Sequence, residues 1–271
     1  MSIFEDLVTY SFLQNAILAA IFVGISCGII GTYIVVRRLV FLGAGITHAS
    51  FGGIGLAYYA GFNPVLGAMI FSVMSALGIN FLSKYDKVRE DSAIGVLWAL
   101  GMAIGIIFIF LTPGYAPNLM SFLFGNILTI TSPILWANCG AAIFLILLFA
   151  FFGRAIIYTA FDSDYAASQG TNVNMINNMM MIFTAITIVL IIKLVGIVLL
   201  ISLLTIAPIT INKFTNSYIK LTIYSVVLTI IASVVGILIS YYTDFPSGAS
   251  IVLVLGSFYL LSRIKLKTRS F

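Results

Sequence analysis

The chain alternates between long stretches without charged side chains and short segments that carry several. A helix that crosses the hydrocarbon core of a membrane needs about 20 mostly apolar residues. The two longest uncharged stretches have 45 and 62 residues, so each is long enough for two such helices. The pattern therefore predicts about nine transmembrane helices, with eight to ten possible. The stretches without Asp, Glu, Lys or Arg are 7–36, 39–83, 92–153, 165–192, 194–212, 221–243 and 245–262.

Short turn-forming segments indicate where the chain reverses inside the two longest stretches. Residues 61–64 read Gly-Phe-Asn-Pro, and residues 112–118 contain two prolines and a glycine. Lys193 divides a third apolar region that exceeds one ordinary span. We expect a turn at Lys193, with its ammonium group reaching water at the outer interface. The alternative is that Lys193 belongs to a transport pathway.

Composition supports a membrane protein and excludes the other broad classes. Hydrophobic residues make up 62 % of the chain and charged residues only 8 %, against about a quarter in ordinary soluble domains. The apolar content excludes disorder, and two cysteines cannot build a disulfide scaffold. A β-barrel would alternate apolar and polar residues, and these runs do not. We predict an all-α polytopic membrane protein in which residues 1–271 form a single transmembrane domain.

The basic residues set the expected topology. By the positive-inside rule, the loops that carry them face the cytoplasm. The N-terminus, with Glu5 and Asp6, is then outside, and we expect no cleaved signal peptide because no basic segment precedes the first apolar stretch. The net charge of +5 follows from this asymmetry, so no nucleic-acid partner is expected. The basic clusters are Arg37 and Arg38; Lys84, Lys87 and Arg89; Arg154; Lys213 and Lys220; and Arg263, Lys265, Lys267 and Arg269.

His48 is the only histidine in the chain, and it lies inside a predicted span. Thr47 and Ser50 flank it among several glycines, which let helices approach closely. An ionisable side chain inside the membrane is a functional candidate, and neutral imidazole binds zinc and other transition metals. We name His48 as a candidate metal or pathway residue, with Thr47 beside it. The alternative is a histidine that hydrogen-bonds between helices and serves packing alone.

A polar connection at about 160–175 follows the fifth predicted span. Asp162 or Ser163 can cap a short helix, with Asp164 favourable in its first turn. Gly170, after Gln169, can end that helix in a left-handed conformation. Such a helix outside the membrane suits docking to another protein, and an ordinary interfacial helix is the alternative.

Motifs of covalent catalysis are absent from the sequence. There is no phosphate-binding Gly-x-x-x-x-Gly-Lys-Ser/Thr loop, no Cys-x-x-Cys, no His-Glu-x-x-His and no Gly-x-Ser-x-Gly. The predicted spans offer almost no carboxylates for acid–base chemistry. We therefore expect a chain that is not itself an enzyme and has no ATPase site of its own.

Six segments, in order along the chain, resemble the membrane permeases of bacterial zinc and manganese ABC importers, the metal-ion permease family. The first three are similar to family patterns close to RR-hydrophobic-FLGDAISHA, EDxAIG and LFG. No single segment is specific, but together they cover nearly the whole chain. The segments are 24–31 and 35–43 with Thr47, His48 and Ala49; 90–95; 121–125; 164–170; 195–208; and 244–248.

The resemblance implies a subunit of an ATP-driven importer for a divalent transition metal ion: zinc, manganese or iron. Two copies of the permease would form the pathway at their interface and work by alternating access in the bacterial cytoplasmic (inner) membrane. Its partners would be an extracytoplasmic metal-binding protein and cytoplasmic ABC ATPase subunits, which hydrolyse the ATP. The metal would be the transported substrate, and no cofactor would be bound permanently. The helices should resemble those of the larger importers for cobalamin and iron–siderophore complexes.

The same resemblance implies site residues. The ATPase subunits would dock on the segment that contains Asp162, Asp164, Gln169 and Gly170. In the family, a carboxylate and the histidine are thought to meet the metal, but the position of that aspartate is occupied by Ala44. Because manganese prefers oxygen ligands, while zinc and iron accept imidazole well, the change favours zinc or iron over manganese.

Two other function classes remain as alternatives. An ATPase-independent secondary metal transporter or channel would need intramembrane carboxylates or a charged relay, and the spans offer little besides His48 and Lys193. A membrane enzyme or assembly scaffold has no visible nucleophile–base pair to support it.

Overall fold

The computed structural model describes residues 9–113, 125, 127 and 130–267, with side chains as far as residue 264. Within these residues the regular elements are α-helices, and eight of them are long and apolar enough to cross a membrane. The predicted all-α class is confirmed, and eight lies within the predicted range. The helices are α1 (Ser11–Val36), α2 (Val40–Ala60), α3 (Pro64–Tyr85), α4 (Glu90–Leu111), α5 (Ser132–Phe161), α6 (Ser163–Ser168), α7 (Val173–Ile211), α8 (Tyr218–Thr243) and α9 (Ser247–Lys267).

The turn between α2 and α3 lies where the sequence predicts it. Gly61 ends α2 in the left-handed region, at φ 74°, which glycine adopts without a steric penalty. The side chain of Asn63 then accepts a hydrogen bond from the Val65 N–H at 2.9 Å, and Pro64 begins α3. In the second long stretch, α4 ends at Leu111, and residues 114–118 of the other predicted turn lie outside the described residues.

The predicted turn at Lys193 is wrong by three residues. The chain stays helical through Lys193, whose side chain is exposed, and leaves helical geometry at Gly196, where φ is 76° and ψ is 171°. Glycine tolerates this backbone conformation, whereas a lysine in it would be strained. A 39-residue helix would be about 58 Å long, roughly twice the hydrocarbon thickness, so an interruption in α7 is needed.

The chain contains two compact units. One holds α1, α5 as far as Phe151, α7 from Lys193 onward, α8 and α9. The other holds α2, α3, α4, the end of α5 from Phe152, α6 and α7 as far as Ile192. The candidate residue His48 and the polar connection around α6 both belong to the second unit. The expectation of a single permease domain stays a prediction.

In the second unit, α2 packs closely against α3 and α4 through glycines. A Cβ atom on Gly101 of α4 would lie 2.6 Å from the Cα of Ala49 and 2.8 Å from its carbonyl oxygen. One turn further along α4, a Cβ on Gly105 would lie 2.7 Å from the carbonyl carbon of Phe51. Real Cβ atoms do not approach backbone so closely, so these glycines let the two helix backbones touch.

We expect Gly101→Ala to destabilise the fold by about 1–3 kcal/mol, because its new methyl group meets the α2 backbone rather than a flexible side chain. The matched control is Gly140→Ala on α5, where a Cβ meets nothing within 4 Å. That control should be neutral or slightly stabilising, since alanine favours the helix over glycine. Thermal unfolding in detergent measures both variants, and equal melting temperatures would contradict the close approach of α2 and α4.

Candidate functional site

His48 lies at the seam between α2 and α4. Its ring stacks flat on that of Trp98, with the two centroids 4.5 Å apart and an interplanar angle of 0°. Phe51 lies one turn along α2, with its ring centroid 6.4 Å from that of His48. The glycine-mediated contact of α2 with α4 holds the two helices together around this stack, so the orientation of the imidazole is fixed by aromatic rings rather than by hydrogen bonds.

The two ring nitrogens of His48 differ in their surroundings. Nδ1 is buried and has no hydrogen-bond partner within the described residues. The residue as a whole is only partly buried. Nε2 is not among the buried atoms that lack a partner, so it is the candidate ligand atom of the ring. A neutral imidazole that presents Nε2 is a common way to bind a transition metal.

The neighbours of His48 on α2 divide between an accessible face and a buried face. Ala44, one helical turn earlier, and Phe41, which is 66 % exposed, lie on the partly exposed face with His48. Thr47 is fully buried, and its hydroxyl has no partner within the described residues. Thr47 therefore lies on the buried face of α2. Its predicted place beside His48 in a pathway is untested, and its burial argues against direct contact with a passing ion.

A single copy of the chain offers few metal ligands at this seam. Within residues 9–113, 125, 127 and 130–264, no three His, Cys, Asp or Glu side chains are grouped so that they could hold a metal ion. The methyl group of Ala44 contributes no ligand atom.

The sequence pattern did not distinguish Trp98, although it supplies the flat wall of the site. It follows the Glu-Asp-Ser-Ala-Ile-Gly motif at 90–95 by three residues, on the same helix. Because α4 also packs on α2 at Gly101, a tryptophan one turn earlier is placed at the edge of the seam. A large aromatic side chain beside a glycine-packed contact was the signal available in the sequence.

The polar connection at 160–175 contains the predicted short helix, α6. The side chain of Asp162 accepts hydrogen bonds from the N–H groups of Asp164, at 3.0 Å, and Tyr165, at 2.9 Å. This caps the first turn, where Asp164 is also favourable because helix N-termini attract negative charge. The predicted helix and its cap are confirmed as structure, while docking on it stays a prediction.

The end of α6 is fixed by Gly170, which lies at φ 79°. Its N–H donates to the carbonyl oxygen of Ala167, and the N–H of Thr171 donates to that of Ala166, each at 3.0 Å. This pair of bonds forms a Schellman motif and accounts for the glycine. Asp162, Asp164, Gln169 and Gly170 are all exposed, so α6 presents a defined polar surface.

Comparison with known proteins gives matches along almost the whole chain. Residues 9–265 match the model of the ABC 3 transport family. The manganese transport system membrane protein MntC of Halalkalibacterium halodurans is 36 % identical over 259 residues, which are 96 % of this chain and 89 % of that protein.

Two solved structures have a similar fold. The structure titled PsaBC from Streptococcus pneumoniae in complex with Fab superposes with a TM-score of 0.83 at 30 % identity, over 96 % of this chain and 93 % of that one. A metal-chelate type ABC transporter in an inward-facing conformation superposes with a TM-score of 0.73 over 96 % and 88 %. At 14 % identity, the second similarity concerns the fold alone.

Proposed function

Because the chain belongs to the ABC 3 transport family, we propose that it is the membrane permease of an ATP-driven importer for a divalent transition metal ion. It is a multi-pass protein of the bacterial cytoplasmic membrane. The observation that carries the proposal is the partly buried imidazole of His48, which stacks on Trp98 in the apolar seam between α2 and α4. A histidine kept only for helix packing would be expected to form a hydrogen bond between helices, and Nδ1 forms none within the described residues. This favours a role of the imidazole in binding a passing ion.

The transport site is completed by a second copy of the chain. One copy supplies a single imidazole, and α4 is mostly exposed although it is strongly apolar. Gly95, Ala99 and Ala103 lie four residues apart on its exposed surface, and a Cβ on Gly95 meets nothing within 4 Å. Small residues at this spacing let transmembrane helices approach closely. Two copies that meet along this surface would bring two His48–Trp98 stacks to one pathway.

Zinc or iron is the substrate that these ligands favour. Two imidazoles without the carboxylate found at the Ala44 position elsewhere in the family make a site of borderline softness. Manganese prefers oxygen ligands, so it would bind this pair more weakly than zinc. The similarity to a protein named for manganese transport keeps manganese among the candidates, and the Ala44 substitution is the argument against it.

The free energy for transport comes from ATP hydrolysis by partner subunits. The short helix α6 is exposed, and both of its ends are capped. It is therefore suited to be a docking site for a cytoplasmic ATPase. Closure of two ATPase subunits would move two copies of α6 and switch the seam between outward and inward access. The metal would be delivered by an extracytoplasmic binding protein, and its contact with His48 would be weak enough to allow release.

The emission of Trp98 tests this site directly. In a Trp136→Phe background, Trp98 is the only tryptophan, and we expect Co²⁺ to quench its emission saturably because the ion binds the stacked imidazole. Zn²⁺, which does not quench, should reverse the effect by competition, and the titration should end at one metal per two chains.

The matched control is Trp98→Phe, which leaves Trp136 as the reporter on the exposed surface of α5. Its emission should not respond to the same Co²⁺ concentrations. Equal quenching of the two tryptophans, or quenching that never saturates, would refute a metal contact at His48.

A further inference from the structure

Arg37, between α1 and α2, holds two helix ends at once. Its Nη1 donates to the carbonyl oxygen of Thr159 at 3.2 Å, and its Nη2 lies 3.3 Å from Oε1 of Glu90. The side chains of Arg37 and Glu90 are only 17 % and 30 % exposed, and Thr159 is buried. The ion pair is therefore shielded from solvent more than an ordinary surface pair.

Both contacts suit the ends of the helices where they occur. Thr159 is in the last turn of α5, where carbonyl groups have no partner within the helix and attract positive charge. Glu90 is in the first turn of α4, where a carboxylate is favourable. The planar guanidinium can serve two acceptors in two directions, whereas the single ammonium group of a lysine cannot reproduce that geometry.

The end of α5 leads directly into α6. The Tyr158 carbonyl accepts the N–H of Asp162, the cap of α6, at 2.9 Å, and the Tyr158 ring meets Tyr165 of α6 edge-on with centroids 5.4 Å apart. Because Thr159 lies between these contacts in the chain, a displacement of α6 acts on the turn that Arg37 holds.

Arg37 is also connected to the contact between α2 and α4 that holds His48, through its ion pair with Glu90 and through the chain itself. Glu90 begins α4, which carries Trp98 about two turns further on, and Arg37 itself precedes α2, which carries His48. Ile94, one turn after Glu90, lies against Gly45 of α2. Arg37 is thus the residue at which the end of α5, the start of α4 and the approach to α2 meet, all within one compact unit.

A comparison with Arg38 indicates that Arg37 does more than set the membrane topology. Arg38 carries the same charge one residue later and is exposed, and neither of the two ion pairs among the described residues involves it. A positive charge for orientation in the membrane needs nothing more than Arg38 offers. The contacts of Arg37 with two helix ends are therefore not explained by membrane topology.

We propose that Arg37 is a positioning residue that couples α6 to the His48–Trp98 seam, so that movement imposed on α6 reaches α2 and α4. The inference rests on the proposed function, because it assigns a route to the ATP-driven movement. Arg37 contacts neither the metal nor the ATPase in this account. If Arg37 loses its contacts with Thr159 and Glu90, α6 and the His48–Trp98 stack stay intact, but movement of one no longer reaches the other.

The test compares Arg37→Lys with the matched control Arg38→Lys in the complete transporter, reconstituted in proteoliposomes. We expect Arg37→Lys to import about tenfold less metal per ATP hydrolysed, the size of a typical coupling between sites. Its basal ATPase rate, its melting temperature and its Co²⁺ affinity measured by Trp98 quenching should match those of Arg38→Lys. Glu90→Gln, which keeps the shape of the side chain and loses its charge, should reproduce the loss if Arg37→Lys assembles poorly.

A third variant separates this inference from the proposed function. Asp164→Ala combined with Gly170→Val alters α6 itself and should abolish stimulation of the ATPase. If that variant uncouples transport while Arg37→Lys and Glu90→Gln behave like the control, the inference fails and the proposed function stands. If the α6 variant leaves coupling unchanged, the proposed role of α6 fails. A fall in melting temperature and metal affinity that parallels the loss of import would reduce Arg37 to a structural role and overturn the inference.

Discussion

Replacing His48 by alanine is expected to lower metal import by at least about tenfold, while assembly with the ATPase and the basal ATPase rate stay unchanged. Loss of a partner that merely supports a metal ligand weakens metal sites by about 10–100-fold, so loss of the ligand itself should cost no less. The substitution also costs no hydrogen bond at Nδ1, which is unpartnered within the described residues. Uptake of radioactive or fluorescently detected metal by proteoliposomes measures the effect.

The control for His48 is its neighbour Thr47. Thr47→Val keeps the shape of a fully buried side chain and removes only a hydroxyl without a partner in the described part of the chain. It should import metal at the normal rate. Normal import by His48→Ala, or equal losses in the two variants, would remove His48 from the pathway.

Restoring the carboxylate at position 44 is expected to shift selectivity toward manganese by about tenfold or more. An aspartate there would share the partly exposed face of α2 with His48, one helical turn away. It would add a hard oxygen ligand from each of two copies, which manganese prefers over imidazole alone. Competition between Mn²⁺ and Zn²⁺ for import by Ala44→Asp gives the ratio.

Ala44→Asn is the matched control, since it has nearly the same shape without the negative charge. Its selectivity should stay close to that of the unmodified chain. Identical Mn²⁺-to-Zn²⁺ ratios for Ala44→Asp and the unmodified chain would show that position 44 does not face the metal. The explanation of metal preference from this substitution would then be wrong.

The helices could be predicted from the sequence because a single physical constraint dominates them. Backbone groups in lipid must be satisfied within each segment, so long uncharged stretches become helices whatever their detailed packing. The turn at Gly61 and Pro64 and the cap at Asp162 were also visible, since each depends on local backbone chemistry. Local rules sufficed where a feature depends on residues adjacent in the chain.

The interruption in α7 shows where such rules fall short. Lys193 was the charged residue in an apolar run, and charge suggested a turn. The chain breaks at Gly196 instead, because only the backbone conformation decides where a helix can be interrupted, and an exposed lysine remains compatible with a helix. Gly196 is the only glycine in the sequence of α7, so the residue that permits the break was visible, but the charge of Lys193 was given more weight.

The candidate site was predictable only in part. His48 stood out as the single histidine, but Trp98 is 50 residues away in the chain and its role depends on the packing of α4 against α2. The same holds for Arg37, whose partner Thr159 is separated from it by 122 residues. Contacts of this kind follow from tertiary structure, and a charge pattern alone gives them only the meaning of membrane topology.

The central claim is that this chain moves a metal ion only when an ATPase drives it. The most direct measurement is Zn²⁺ accumulation in proteoliposomes that contain the permease with its ATPase partner, with ATP and with a non-hydrolysable analogue. We predict accumulation against a gradient with ATP, none with the analogue, and none by the permease alone. Equal accumulation by the permease without the ATPase would contradict the account.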